Sequence, residues 1–202
     1  MTAFETLGSI LNAFQANRAR TMEPEALAEN QRQRQSLVDN SDPGRFPRPG
    51  QAVPDFELLP VDGGRLTRDE LLAEGPVALV FFRFAGCPAC NIALPYYDRH
   101  LRPALAARGV RLIAVSPQVP ARLADIGARH DLGVTIASDP DNALARALGM
   151  TFLPDAEAWA FARARDSDLP SITGASTWEL PMPAILLIDR TGTIRFAEVT
   201  PD

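Results

Sequence analysis

Val77-Ala78-Leu79-Val80-Phe81-Phe82-Arg83-Phe84-Ala85-Gly86-Cys87-Pro88-Ala89-Cys90 decides how this chain is read. Its first half is a continuous apolar run of the length of a strand buried on both faces, and Gly86 breaks it before helix-compatible sequence begins. Cys87 and Cys90 fall at this strand-to-helix junction, and the chain has no other cysteine. A sulfur at the start of a helix meets free backbone N–H groups and the positive end of the helix dipole, which favour thiolate over thiol. The stretch therefore reads as a redox motif.

Two other uses of the pair are weaker. A zinc site takes about four ligands, and only His100 and His130 remain to join the cysteines, at spacings unlike zinc modules. Inert buried thiols are the second, since free cysteine is often buried; the helix-start placement and Pro88 speak against it. No metal and no cofactor is expected. Arg83 interrupts the apolar run, and a guanidinium there must be paired or reach solvent. Either it turns toward Cys87, to stabilise a thiolate or hold a substrate oxygen, or it pairs with a carboxylate such as Asp55 or Glu57.

Upstream of the strand, Gly75-Pro76 closes a short helix opened by Thr67 and Glu70 at capping-box spacing. Phe56 to Leu59 is extended, Asp62-Gly63-Gly64 signals a hairpin turn, and Leu66 begins the return. Asn40 to Gly50, NSDPGRFPRPG, is dense in Pro and Gly and reads as a linker. It divides the chain into an N-terminal helical arm with its linker, 1–47, and a globular domain, 48–202. In the arm, Phe4, Leu7, Leu11 and Phe14 recur at helical spacing, and Pro24 opens a second helix over roughly Glu23 to Val38. Such narrow apolar faces predict an arm packed on its own domain; a homodimer built through the arm is the sharper alternative.

Downstream, Ile92 to Leu105 fits a long helix that Pro95 and Pro103 kink or divide. Val110 to Val115 and Val134 to Ala137 are further buried strands, with helices from Ala121 to His130 and Ala143 to Leu148. Thr151 to Pro181 is the least regular stretch; it holds Trp159 and Trp178 and a helix over Glu157 to Arg165, and reads as a lid or packing flap. Ala184 to Ile188 and Thr193 to Val199 form a hairpin around Asp189 to Gly192. The alternation predicts βαβ units and a mainly parallel core. His100 and His130 read as surface or cap residues, and Tyr96 and Tyr97 as packing.

A net charge of −5 and a sequence pI near 5.1 speak against a nucleic-acid partner. No apolar run approaches 18 residues, so no membrane association is expected, and without a basic leader before an apolar segment the expected location is cytoplasmic.

Three segments carry a family resemblance. Gly50-Gln51-Ala52-Val53-Pro54-Asp55-Phe56-Glu57-Leu58, the stretch FFRFAGCPAC ending at Cys90, and Leu180-Pro181-Met182-Pro183-Ala184-Ile185-Leu186-Leu187-Ile188-Asp189-Arg190 resemble the peroxiredoxin-like (alkyl hydroperoxide reductase/thiol-specific antioxidant) family of the thioredoxin-fold superfamily. The most similar subgroup carries its nucleophile in C-P-x-C. The resemblance implies an α/β thioredoxin-like fold, with a central mixed, mostly parallel sheet flanked by helices, here preceded by the helical arm. It also implies an antioxidant thiol-dependent peroxidase, with Cys87 as the attacking thiol and Cys90 as the candidate resolving thiol. The substrate would be a hydroperoxide, and thioredoxin or another dithiol the reductant. Pro183 falls at the cis-proline of thioredoxin folds, which would hold the Met182 backbone beside Cys87, and Trp178 just before it would line the substrate mouth. Two positions depart from the family: Phe84 stands where Thr or Ser is usual, and the family's second arginine would fall near Pro183, where this chain lacks the charge. The other readings are a thioredoxin-type protein disulfide oxidoreductase and, in a different class, a non-catalytic redox sensor or interaction module.

Overall fold

The computed structural model describes residues 5–201. Phe4, the first of the apolar positions predicted for the arm, lies outside the described residues. Strand β3 (Val77–Phe81) is buried along its whole length, as its unbroken apolar sequence requires. Leu79 and Phe81 face one side of the sheet, with Ile113, Val115, Leu186 and Ile188. Ala78 and Val80 face the other, in the same cluster as Phe82, Cys87, Cys90, Leu94, Leu123 and Ile126. Burying a side chain of this size contributes about 1.5–3 kcal/mol, so the strand that leads to the cysteines is firmly anchored.

The remaining strands are β1 (Glu57–Pro60), β2 (Leu66–Thr67), β4 (Arg111–Ser116), β5 (Thr135–Ser138), β6 (Thr151–Phe152), β7 (Leu180–Pro181), β8 (Ala184–Ile188) and β9 (Ile194–Val199). Seven of them form one sheet in the order β2-β1-β5-β4-β3-β8-β9, and β6 pairs with β7 apart from it. The sheet is mixed, and its parallel pairing is confined to β3–β4 and β4–β5. The ladders on either side are antiparallel, so a mainly parallel core describes only the three central strands. The carboxyl ends of those strands share one edge, where an open α/β sheet presents its ligand site.

The helices are α1 (Leu7–Thr21), α2 (Pro24–Asp39), α3 (Arg68–Glu74), α4 (Cys90–Tyr96), α5 (Arg102–Ala106), α6 (Pro120–His130), α7 (Ala143–Ala147), α8 (Ala156–Arg163) and α9 (Leu169–Thr173). The capping box at α3 forms as its spacing predicts: the Glu70 N–H donates to the Thr67 hydroxyl and the Thr67 N–H to the Glu70 carboxylate. Pro95 does not break the helix after the cysteines. A π turn over Tyr97–Leu101 joins α4 to α5, the usual way a helix absorbs a missing N–H donor. In the arm, α1 packs on α4 and α2 packs on α8, where Arg32 is ion-paired with Asp155 at 2.7 Å and Arg165 with Glu25 at 3.0 Å.

The stretch Thr151 to Pro181 contains one helix that its sequence did not announce, α9, and is tied to the strand ends by backbone bonds. The Val119 N–H donates to the Thr173 carbonyl (2.9 Å) and the Met182 N–H to the Met150 carbonyl (2.7 Å). Beneath it, buried Asp139 accepts from the N–H groups of Leu144 and Ala145 at 2.9 and 3.0 Å, while its burial raises its pKa. Asp139→Ala leaves both donors without an acceptor. It should destabilise the fold by about 1–3 kcal/mol in urea denaturation, and Asp139→Asn, which keeps one acceptor oxygen, by less.

Candidate active site

Past Phe81 the chain leaves the sheet and turns sharply, the Cys87 N–H donating to the Phe84 carbonyl at 3.1 Å. This turn is held by side chains from distant elements. The Ala85 N–H donates to Gln118 Oε1 at 2.7 Å. The Ala85 carbonyl accepts from Asn91 Nδ2 at 2.8 Å and from Arg129 Nη1 at 3.2 Å. Ser116, at the end of β4, donates its hydroxyl to the Arg83 carbonyl at 3.0 Å. Gln118 also donates to the Ile172 carbonyl of α9 at 3.1 Å, so one amide links the cysteine turn to the insertion. Asn91 donates a further bond to the Cys87 carbonyl at 2.8 Å. Its Oδ1 accepts from Arg129 at 2.9 Å and meets His130 Nε2 at 2.7 Å, which requires the His130 tautomer with hydrogen on Nε2.

Both cysteines are buried and reduced, Cys87 8% and Cys90 6% exposed. The Cys90 and Cys87 sulfurs are in direct contact, Cys90 on the donor side, and the Cys90 N–H points at the Cys87 sulfur at 3.4 Å. The two sulfurs therefore titrate as a pair with opposite shifts. The Cys90 thiol, the backbone N–H groups of Cys90 and Ala89 and the Arg83 charge overcome burial and lower the Cys87 pKa to about 6. Cys90 is pushed well up, because its proton is engaged by Cys87 and because it is buried beside a thiolate. The paired shifts favour thiolate at Cys87 and thiol at Cys90.

Arg83 does not take the carboxylate partners that its sequence offered. Asp55 is paired with Arg68 and Glu57 with Arg65. The Arg83 guanidinium instead lies over the Phe152 ring, 5.0 Å from its centroid, a cation–π contact, and its Nε is buried without a partner. Pro88 is exposed at the rim of the turn. Phe84 packs its ring against Gly86, where an added Cβ would sit only 3.4 Å away.

Pro183 departs from its expected geometry. Among the described residues no peptide bond is cis, so Met182–Pro183 is trans. The reason is local: β7 runs directly into β8, and this extended passage is pinned by the Met182 N–H and by the Pro183 carbonyl, which accepts from the Thr200 N–H at 2.9 Å. Met182 is buried, and the β3–β8 register, ending at Phe81↔Ala184, carries it toward Arg83. Trp178 packs on Trp159, with ring centroids 5.6 Å apart, and under Arg163, within the insertion.

The residues that hold the site and that its sequence pattern did not single out are Asn91, Ser116, Gln118 and Arg129. His130, expected to be a surface or cap residue, joins them through Asn91. Among these, only Asn91 carries a local signal, a polar side chain next to Cys90 in an apolar stretch.

A thiolate and a thiol side by side at the carboxyl end of a central parallel strand define a thiol-dependent redox protein. The AhpC/TSA family model matches residues 49–197, and the chain belongs to the AhpC/TSA family. In fold it is similar to peroxidoxin BcpB from Mycobacterium tuberculosis, with 18% identity over 77% of this chain and 87% of that one and a TM-score of 0.60. It is likewise similar to reduced Prx3 from Vibrio vulnificus, solved with hydrogen peroxide, at 21% identity over 77% and 88% with a TM-score of 0.60. Peroxiredoxin Q from Xanthomonas campestris aligns at 17% identity over 71% and 79%, with a TM-score of 0.55. No curated protein matches the chain in sequence.

The pH dependence follows from the paired shifts. Thiolate absorbance should appear as pH rises through about 6. In Cys90→Ala, which removes the S–H donor, the midpoint should move up toward the ordinary cysteine value of about 8.5.

Proposed function

We propose that the protein is a thiol-dependent peroxidase in which Cys87 attacks a hydroperoxide and Cys90 resolves the product. The observation that carries this reading is the pair itself, two sulfurs in contact with Cys87 shifted toward thiolate and Cys90 toward thiol. The Cys87 thiolate attacks the terminal oxygen of ROOH; the S–O bond forms, the O–O bond breaks, and sulfur is oxidised to the sulfenic acid while the peroxide is reduced. The leaving alkoxide takes a proton to give ROH. Cys90, giving up its proton, then attacks the Cys87 sulfur, and the S–OH oxygen leaves as water. The resulting disulfide is opened by an external dithiol through exchange, and thioredoxin is the reductant we assign.

Arg83 supports the first step through its charge beside Cys87 and an unengaged Nε, which makes it the donor available to a peroxide oxygen. Asn91 and Gln118 act through the backbone of the cysteine turn and are positioning residues.

One observation favours direct disulfide reduction instead: the position three residues before Cys87 is Phe84, which carries no hydroxyl to bind peroxide. Peroxide consumption coupled to a thioredoxin system separates the two. Wild type should consume peroxide, Cys87→Ser should fall to background, and Cys90→Ser should oxidise once at Cys87 and then stall with thioredoxin. Insulin-disulfide reduction with no peroxide turnover would instead make the protein a disulfide reductase. Replacing Arg83 by Met should raise the Cys87 pKa and slow its oxidation; unchanged values for both would remove Arg83 from the chemistry.

A further inference from the structure

Helix α1 carries a positive charge on the wrong face. Its inward side is formed by Leu7, Ile10, Leu11, Phe14, Gln15 and Arg18, all half-buried at helical spacing, and this is the helix that packs on α4. An arm that merely covered apolar surface would place an arginine outward, as it does Arg20. Arg18 is also not neutralised. Among the described residues its partners are Met22, whose sulfur accepts from Nε at 3.2 Å, and the Phe14 ring, 5.4 Å from Cζ. Neither is a carboxylate.

The direction of α1 decides what this charge faces. At its beginning, the Glu5 carbonyl accepts from the Tyr96 hydroxyl at 3.4 Å, at the far end of α4. The two helices meet there, and the rest of α1 runs on from that point with Arg18 on its inward side. At 1.5 Å per residue, the rise from the start of α1 to Arg18 is about 17 Å, long enough to run the length of α4 back to Cys87. Burial and, after it, Arg34 on α2 lower the Arg18 pKa, and the Cys87 charge acts in the opposite direction, so the two groups feel one another. The groups that acidify Cys87 itself are nearer, Cys90, the backbone N–H groups and Arg83, so Arg18 is not what makes the thiolate.

We propose that the N-terminal arm is part of the active site, and that Arg18 supplies the positive charge that receives the leaving oxygen when Cys87 attacks a hydroperoxide. This rests on the peroxidase reading above. In that step negative charge moves from sulfur to the departing RO⁻, which a fixed guanidinium in a water-poor site stabilises more than it stabilises the starting thiolate. The chemistry uses one thiolate and one ROOH, gives the Cys87 sulfenic acid and RO⁻, and ends when solvent protonates RO⁻. The Arg18 guanidinium keeps its own protons.

The test is a pair of rates on the full, reduced chain, each followed by mass spectrometry of Cys87: oxidation by hydrogen peroxide and alkylation by iodoacetamide. Alkylation reads thiolate content and access, and its leaving group, iodide, is a large diffuse anion that accepts hydrogen bonds far more weakly than an alkoxide and needs no guanidinium to receive it. Arg18→Met should slow oxidation about tenfold or more, the scale of a charge-assisted hydrogen bond, and leave alkylation within about twofold. Arg18→Gln should show the same split, and Arg18→Lys should recover part of the oxidation rate. Oxidation within twofold of wild type in both Arg18→Met and Arg18→Gln would overturn the proposal. So would an equal loss in both reactions, which would make the arm a cover only. If wild-type Cys87 reacts with peroxide no faster than a free cysteine, it is the peroxidase reading that fails, since that measurement does not involve the variants.

Discussion

Much of this structure depends on the backbone of one residue, Ala85. Its N–H is taken by Gln118 and its carbonyl by Asn91 and Arg129, so the loop after β4, α4 and α6 all fix the turn between the buried strand and the first sulfur. Both hydrogen-bonding groups are buried or nearly so, and leaving such a group unmade costs about 1–3 kcal/mol. The turn is therefore closed by bonds that are costly to break, and the geometry at Cys87 follows. A sulfur held by a flexible loop would meet the Cys90 thiol only part of the time and would lose the acidity that the contact confers.

The same network explains why the insertion between β6 and β7 belongs to the site. Gln118 reaches α9 with its second group, and Phe152 lies against Arg83. The arm closes from the opposite direction, with α1 on α4 and α2 ion-paired to the start of α8. The cation at Arg32 lowers the Asp155 carboxyl to about 2, although that pair is partly exposed and such pairs contribute little individually. Its value is in connecting arm to insertion, so that both sides of the cysteine turn are covered by parts of one surface layer.

What was legible in the sequence was local. The apolar run of β3, the glycine break, the cysteine spacing, the Thr67 and Glu70 cap and the turn at Asp189 to Gly192 each depend on neighbours a few residues away, and each formed. Arg83 was legible as a conflict, a charge in an apolar run, but its resolution on an aromatic ring from the insertion was not. Gln118 and Ser116 were silent because their partners are far away in the chain. Pro183 misled for a related reason: a Met-Pro pair before a strand has the same letters whether the chain turns there or, as here, passes straight from one strand into the next.

The side-by-side sulfurs also bear on how the protein withstands excess oxidant. A sulfenic acid left waiting for a distant partner stays open to a second peroxide molecule, which carries it to the irreversible sulfinic state. Here the Cys90 thiol already touches the Cys87 sulfur, so in the cycle proposed above closure to the disulfide requires no segment to unfold first. On that proposal, oxidant arriving in a burst would meet disulfide, which a dithiol can reopen, in place of a sulfur awaiting further damage.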